Sequence, residues 1–244
     1  MQTPPGEFGC STGAPLSVTL KPVIRRDYIL RMIEEFIQTL ARIRALKRDQ
    51  RWQEAGGVVD EEFQRLIGAG AQTVAQLTET ELLAQLIRGE PTQAVHDKTL
   101  MLSALLKEAG DVAARQERAE ESRSCYSKGL HLLLETLAHE EASTFPDFVP
   151  RVEMFTAALR GSPLALETQA LLMRHYERSG EYAKAEDALF AMLEAEPANP
   201  ALVGFGVSFY ERLQGQSDSS LAAGNLPRPE LEASLAELRA RKAE

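Results

Sequence analysis

Apolar residues recur every three or four positions along most of the chain, and strict alternation is rare, so the pattern is that of helices rather than strands. After Asp27, a candidate N-cap, one stripe runs through Ile29, Ile33, Phe36, Ile37, Leu40 and Ile43 and predicts a helix ending in the polar stretch Lys47 to Arg51. A second helix is expected from Trp52 through Ala55, Val59, Phe63, Leu66 and Ile67, stopped by Gly68 and Gly70, with a short turn making the two an antiparallel hairpin. Thr78 and Glu81 have capping-box spacing and open a short helix that ends at Gly89. Pro91 suits the first turn of the next helix, which reaches about Ala109; Gly110 and Asp111 need not break it, and helix continues to about Glu141.

Further on, Asp147 is a candidate cap for a helix over 148–160, ended by Gly161. Ser162 and Pro163 open a helix to Ser179, Gly180 turns the chain, and Tyr182 to Glu196 is the partner helix, closed by Pro197 and Pro200. A helix over about 201–213 precedes a polar stretch, Gly215 to Leu226, read as a loop. Pro227 and Pro229 introduce a last helix carrying Leu231, Leu235 and Leu238, whose wet outer face would cap a stack. Residues 1–26, rich in Pro, Gly, Ser and Thr, read as a flexible tail, 27–140 as an N-terminal helical domain and 141–244 as C-terminal hairpins with a capping helix.

Composition narrows the class. Helix formers dominate, and 44% hydrophobic with 26% charged residues is too apolar for a disordered chain. A net charge of -9 argues against a duplex-binding surface, so no nucleic acid is expected. No apolar run is long enough to span a membrane, and no signal-peptide core is visible among Pro4, Pro5, Gly6 and Gly9. Cys10 and Cys125 form no C-x-x-C pair, which fits a reducing cytoplasm.

The decisive test is for internal repeats. Residues 166–199 resemble a tetratricopeptide (TPR) unit of two antiparallel helices. Leu172 and Tyr176 fall on the first helix and Ala185 and Leu189 on the second, Gly180-Glu181-Tyr182-Ala183-Lys184-Ala185 makes the turn, and Pro197 closes the unit. Met173 and Met192 stand where the family prefers smaller residues. Residues 103–136 are a fainter match through Leu106, Gly110, Ser122, Tyr126 and Gly129, and the first hairpin keeps Leu46, Trp52 and Ala55. The opening Asp27-Tyr28-Ile29-Leu30-Arg31-Met32-Ile33-Glu34 also resembles the start of an uncharacterised family of bacterial helical proteins over about 27–140, which carries no activity with it. Both resemblances imply an all-α fold, a TPR-like α-α hairpin solenoid or compact helical bundle. A single amphipathic hairpin cannot bury its own apolar face, so hairpins stack and leave one surface concave.

Candidate chemistry is sparse. His131, Glu135 and His139 share a helix face at four-residue spacing, but the row is not H-E-x-x-H and reads as exposed polar surface. Cys125 reads as packed between helices, and Gly56-Gly57 as a close-packing site or a kink. Nucleophile-elbow, Walker and dinucleotide motifs are missing, so the chain reads as no enzyme, with no cofactor and no metal. Placing the hairpins in TPR register puts Arg44, Lys47 and Arg48, then Lys107 and Arg115, then Arg174 and Arg178 on the concave face, interrupted by Asp111 and Glu177. Such a groove would suit an unknown protein or acidic peptide segment. The expectation is a non-catalytic scaffold or adaptor; the alternatives are a self-associating module such as a homodimer and a helical metal-dependent enzyme.

Overall fold

The structure, a computed structural model, describes residues 20–88, 92–139 and 145–242. Gly89, Pro91 and Glu141, and the tail as far as residue 19, lie outside the described residues. Among those described, all regular structure is α-helical, so the fold is all-α. The helices are α1 (Leu20–Arg48), α2 (Trp52–Ile67), α3 (Ala71–Gln76), α4 (Glu79–Ile87), α5 (Thr92–Arg115), α6 (Ala119–Ala138), α7 (Val152–Ala158), α8 (Leu166–Ser179), α9 (Tyr182–Ala195), α10 (Pro200–Leu213), α11 (Asp218–Ala223) and α12 (Arg228–Lys242).

Several expected boundaries move. Asp27 is not a cap, because α1 already begins at Leu20; Pro22 falls in its first turn, where a missing N–H breaks no helical hydrogen bond. The capping box at Thr78 forms in full: Glu81 N donates to Thr78 Oγ1 and Thr78 N to Glu81 Oε2. Neither Asp147 nor Ser162 caps a helix; α7 and α8 start after Arg151 and Ala165. Part of the stretch read as a loop after Gly215 is α11, capped by Ser217 and pinned by buried Leu221. Its six residues are too few for a helical period to register.

Three helix pairs, α1–α2, α5–α6 and α8–α9, are joined by turns of one construction. Gln50, Glu117 and Gly180 take left-handed backbone, with φ of 60°, 61° and 76°. The next residues, Arg51, Arg118 and Glu181, share φ near one value (−85°, −90°, −89°) and ψ of 61°, 67° and 62°. Their N–H groups donate five residues back, to Leu46, Ala113 and Tyr176, each at 2.9 Å, which is the Schellman closure. Five residues beyond each left-handed position stands a small buried side chain, Ala55, Ser122 or Ala185.

Only the third turn uses glycine. A Cβ in the left-handed region costs roughly 1–2 kcal/mol, part of which glycine returns as unfolded-chain entropy. Glu117 and Gln50 are exposed, so Glu117→Gly or Gln50→Gly should each stabilise the protein by roughly 0.5–1 kcal/mol. A urea melt checks this, and an unchanged or lowered midpoint for both would refute the shared turn geometry.

Helices α5 and α6 approach closely because Gly110 lies under the Tyr126 ring and a Cβ at Gly129 would stand 3.3 Å from Leu106 Cβ; Gly129 also lies under Phe155 of α7. Hydroxyls tie the pair: Ser122 Oγ donates to Gly110 O (2.9 Å) and Ser103 Oγ to Gly129 O (2.8 Å). Short α3, unanticipated because Val74 is its one buried residue, is fixed at both ends. Ala71 N donates to Asp60 Oδ1 (2.7 Å), and buried Lys128 donates to Val74 O (3.1 Å) and Ala75 O (2.6 Å). At the C-terminal end Tyr210 Oη donates to buried Glu186 at 2.5 Å, joining α10 to α9, while Leu231, Leu235 and Leu238 bury the inner face of α12.

Candidate functional site

The basic residues expected on a concave face divide between different environments. Arg44 and Lys47, three apart on α1, point at α5 and meet Glu108, whose side chain is 1% exposed. Arg44 Nε donates to Glu108 Oε1 at 3.1 Å; Lys47 bonds both Glu108 and Asp111. Lys107 Nζ donates to Asp111 Oδ2 at 2.8 Å and lies 3.8 Å from Glu108. Tyr126 Oη donates to the other oxygen of Asp111 at 2.7 Å. Burial pushes the Asp111 carboxyl up, but hydrogen bonds from Lys107, Lys47 and Tyr126 outweigh it and hold the group below the usual carboxylate range. The Tyr126 hydroxyl is pushed well up, by burial and by Asp111. Three of the seven candidates are therefore paired within the α1–α5 contact, Lys47 and Lys107 mostly enclosed and Arg44 half exposed.

The remaining four are dispersed. Arg48 is exposed at the end of α1. Arg115 lies over the Trp52 ring, 5.7 Å from its centroid, a cation–π contact between the ends of α5 and α2. Arg178 donates to Leu137 O at 2.7 Å, across the α6–α8 boundary. Arg174 borders a cleft of about 550 Å³ between α4, α6 and α8, where it shares the walls with Glu79, Glu135, Glu167 and His131. Carboxylates outnumber bases in that cleft, so it is not a basic trough.

The histidine row is split by this arrangement. His131 bonds Thr168 Oγ1 through Nδ1 at 2.9 Å and is spent on α8. Among the described residues no group of three or more His, Cys, Asp or Glu side chains is placed to hold a metal ion. Cys125 is buried as expected, and burial pushes its thiol up to about 12, which leaves it protonated and unreactive at neutral pH.

A broad hollow was not anticipated. A groove of about 1110 Å³ lies between α2, α3 and α6, over the C-terminal part of α5. Gly56, Gly57, Ala71, Ala75 and Ala109 keep it open, and Gln53, Gln72, Gln76 and Gln116 line it. At Gly56 a Cβ would stand 3.5 Å from Val112 Cγ1, an ordinary van der Waals contact, so close packing does not require the glycine. At Gly57 a Cβ would meet nothing within 4 Å, so neither packing nor a turn accounts for it. The glutamines come from two helices, α2 and α3, and the turn between α5 and α6, and no local spacing could have assembled them.

A model for a family of unknown function (DUF6483) matches residues 23–243. The chain belongs to this family. The match spans every part of the DUF6483 fold described above, from the first turn of α1 to the end of α12, well past residue 140, where the resemblance read from the N-terminal helix stopped. No curated protein and no solved structure matches the chain. Among the described residues no helix is long and apolar enough to cross a membrane.

Proposed function

We propose that the chain is a non-catalytic protein-interaction module, a TPR-like set of helical hairpins acting as a scaffold or adaptor in the cytoplasm. The observation that supports this reading most is the recurrence of one turn geometry at Gln50, Glu117 and Gly180, each followed by a small buried residue at the same offset. Repeated hairpins of this kind expose long inter-helix surfaces and need no reactive centre. The partner is an unidentified protein, and acidic segments of it would meet the exposed arginines that no described carboxylate neutralises: Arg48, Arg115 and Arg174. Arg44, Lys47 and Lys107 hold the fold instead.

Replacing Arg48, Arg115 and Arg174 together by Ala should leave the fold intact, since all three are exposed and, among the described residues, the only fold contact given up, the Arg115–Trp52 stack, is worth about 0.5–1 kcal/mol at an exposed site. Capture of partners from the native cell should fall by roughly tenfold at low salt, and less at high salt, as screened surface charges require. Recovery of every partner in unchanged amount would remove the acidic-segment reading.

Self-association is the second reading. It is favoured by Tyr28, Leu30 and Ile37, large apolar side chains on α1 that are 56%, 49% and 46% exposed. Sedimentation of the purified chain separates the two readings: a stable dimer that captures nothing would support this one.

A further inference from the structure

The groove between α2, α3 and α6 carries an inference about ligand chemistry that deepens the proposed interaction role. Its volume of about 1110 Å³ exceeds the roughly 300–1,000 Å³ of ordinary small-molecule pockets. Its lining is also wrong for an apolar ligand, since glutamine amides stand between small side chains.

The charged groups at its rim already have partners within the fold. Asp60 accepts from Ala71 N, Arg118 bonds Glu121 and the Gln116 side-chain oxygen, and Glu120 bonds Arg123. Arg118, Glu120 and Glu121 are ion-paired, and the Asp60 carboxylate is met only by a backbone N–H, so an anionic ligand, nucleic acid included, finds no free cation there among the described residues. Gln53, Gln72 and Gln76 are exposed and make no side-chain hydrogen bond among the described residues. Each offers a donor and an acceptor on one planar group, the same pair that a peptide bond presents.

Gly57 supplies an independent sign. A glycine inside a helix costs roughly 1 kcal/mol relative to alanine. At Gly57 nothing in the fold occupies the space a Cβ would fill, so the fold gains nothing in return. An occupant lying against the α2 backbone would use that space. We propose that this groove binds an extended, uncharged peptide segment of a partner protein, held through its main chain by the amides of Gln53, Gln72 and Gln76 and admitted by Gly57. Main-chain recognition of this type gives affinity with loose sequence demands.

The test uses the full chain to select binders from a random peptide library displayed on phage, followed by titration of the enriched peptides as synthetic ligands. Gly57→Trp fills the groove, and the triple variant Q53A/Q72A/Q76A removes the amides. Both change only exposed positions, and an unaltered circular-dichroism melt verifies folding. Each variant should weaken binding on the order of tenfold or more, as should backbone N-methylation of the peptide with its side chains kept. Peptides that bind both variants as tightly as the wild type occupy another surface; that overturns the groove assignment while leaving the interaction role standing. An enriched peptide that depends on Arg48, Arg115 and Arg174 alone does the same. Failure to enrich any peptide, or a second copy of the chain filling the groove in solution, also overturns it.

Discussion

Glu108→Ala should destabilise the protein by about 3–5 kcal/mol, the range for removing one partner of a buried ion pair. Glu108 is the most enclosed member of the α1–α5 cluster, and Arg44, Lys47 and Lys107 all face it. Truncation leaves two ammonium groups, 14% and 16% exposed, sharing Asp111 alone. Against a whole-domain stability of about 5–15 kcal/mol, a loss of this size leaves a substantial unfolded population. Chemical denaturation measures it directly. Glu108→Gln keeps the shape and an acceptor oxygen but not the charge, so it should fall between wild type and Ala. A cost for Glu108→Ala below about 1 kcal/mol, the level of a surface salt bridge, would mean that the cluster is wet and that its cations remain available to a partner.

The same cluster sets a pH dependence. Asp111 has a folded-state pKa below its unfolded value near 4, so the stability it contributes is present above about pH 4 and is lost as pH falls through the lower folded value. Asp111→Asn should be less stable than wild type at neutral pH, and the gap should narrow in acid. A constant gap from pH 7 to acid would assign the loss to packing and not to charge.

Local features of this fold were legible in the chain; pairings across it were not. The helix stripe of α1 (Phe36, Leu40 and Ile43 buried, Ile37 exposed), the Thr78–Glu81 cap and the Gly180 turn each rest on residues a few positions apart, and apart from Ile37 each stands where the spacing put it. So do Leu172, Tyr176, Ala185 and Leu189, all buried in the hairpin of α8 and α9. The groove bases failed for a non-local reason. Arg44 and Lys47 face the partner that helix packing brings, and Glu108 arrives more than sixty residues later. Asp111 was visible as an interruption in the basic row, but its role as the second half of an ionic cluster needed the α1–α5 interface. The first turn was expected but not its left-handed geometry, and the second interrupts a stretch expected to stay helical to about Glu141: Gln50 and Glu117 adopt a backbone that ordinarily signals glycine, so their sequences carry no mark of it. The glutamine groove, drawn from four separate segments, had no sequence period at all.

Gly110→Ala should be destabilising in the native sequence and stabilising once Tyr126 is removed. A Cβ at Gly110 would sit 2.7 Å from Tyr126 Cε1 and 2.9 Å from both Cδ1 and Cζ, closer than real Cβ contacts allow, so the ring must move. Tyr126 is buried and anchored by its 2.7 Å bond to Asp111. Moving it adds about 1–3 kcal/mol of overpacking and endangers a charge-assisted hydrogen bond worth about 1.5–3 kcal/mol. Helix propensity returns roughly 1 kcal/mol, leaving a net loss of about 1.5–5 kcal/mol if the hydrogen bond is lost. In a Tyr126→Ala background the obstructing ring is gone and only the propensity gain remains, so the same substitution should stabilise by up to about 1 kcal/mol. The reversal makes the cycle strongly non-additive, as contacting residues require. Gly57→Ala, also a mid-helix glycine but with open space around it, should stabilise in both backgrounds. Urea midpoints of the four Gly110 and Tyr126 combinations decide the matter. An equal loss from Gly110→Ala with and without the tyrosine would show that the close approach of α5 and α6 depends on something other than this ring lying on a bare backbone.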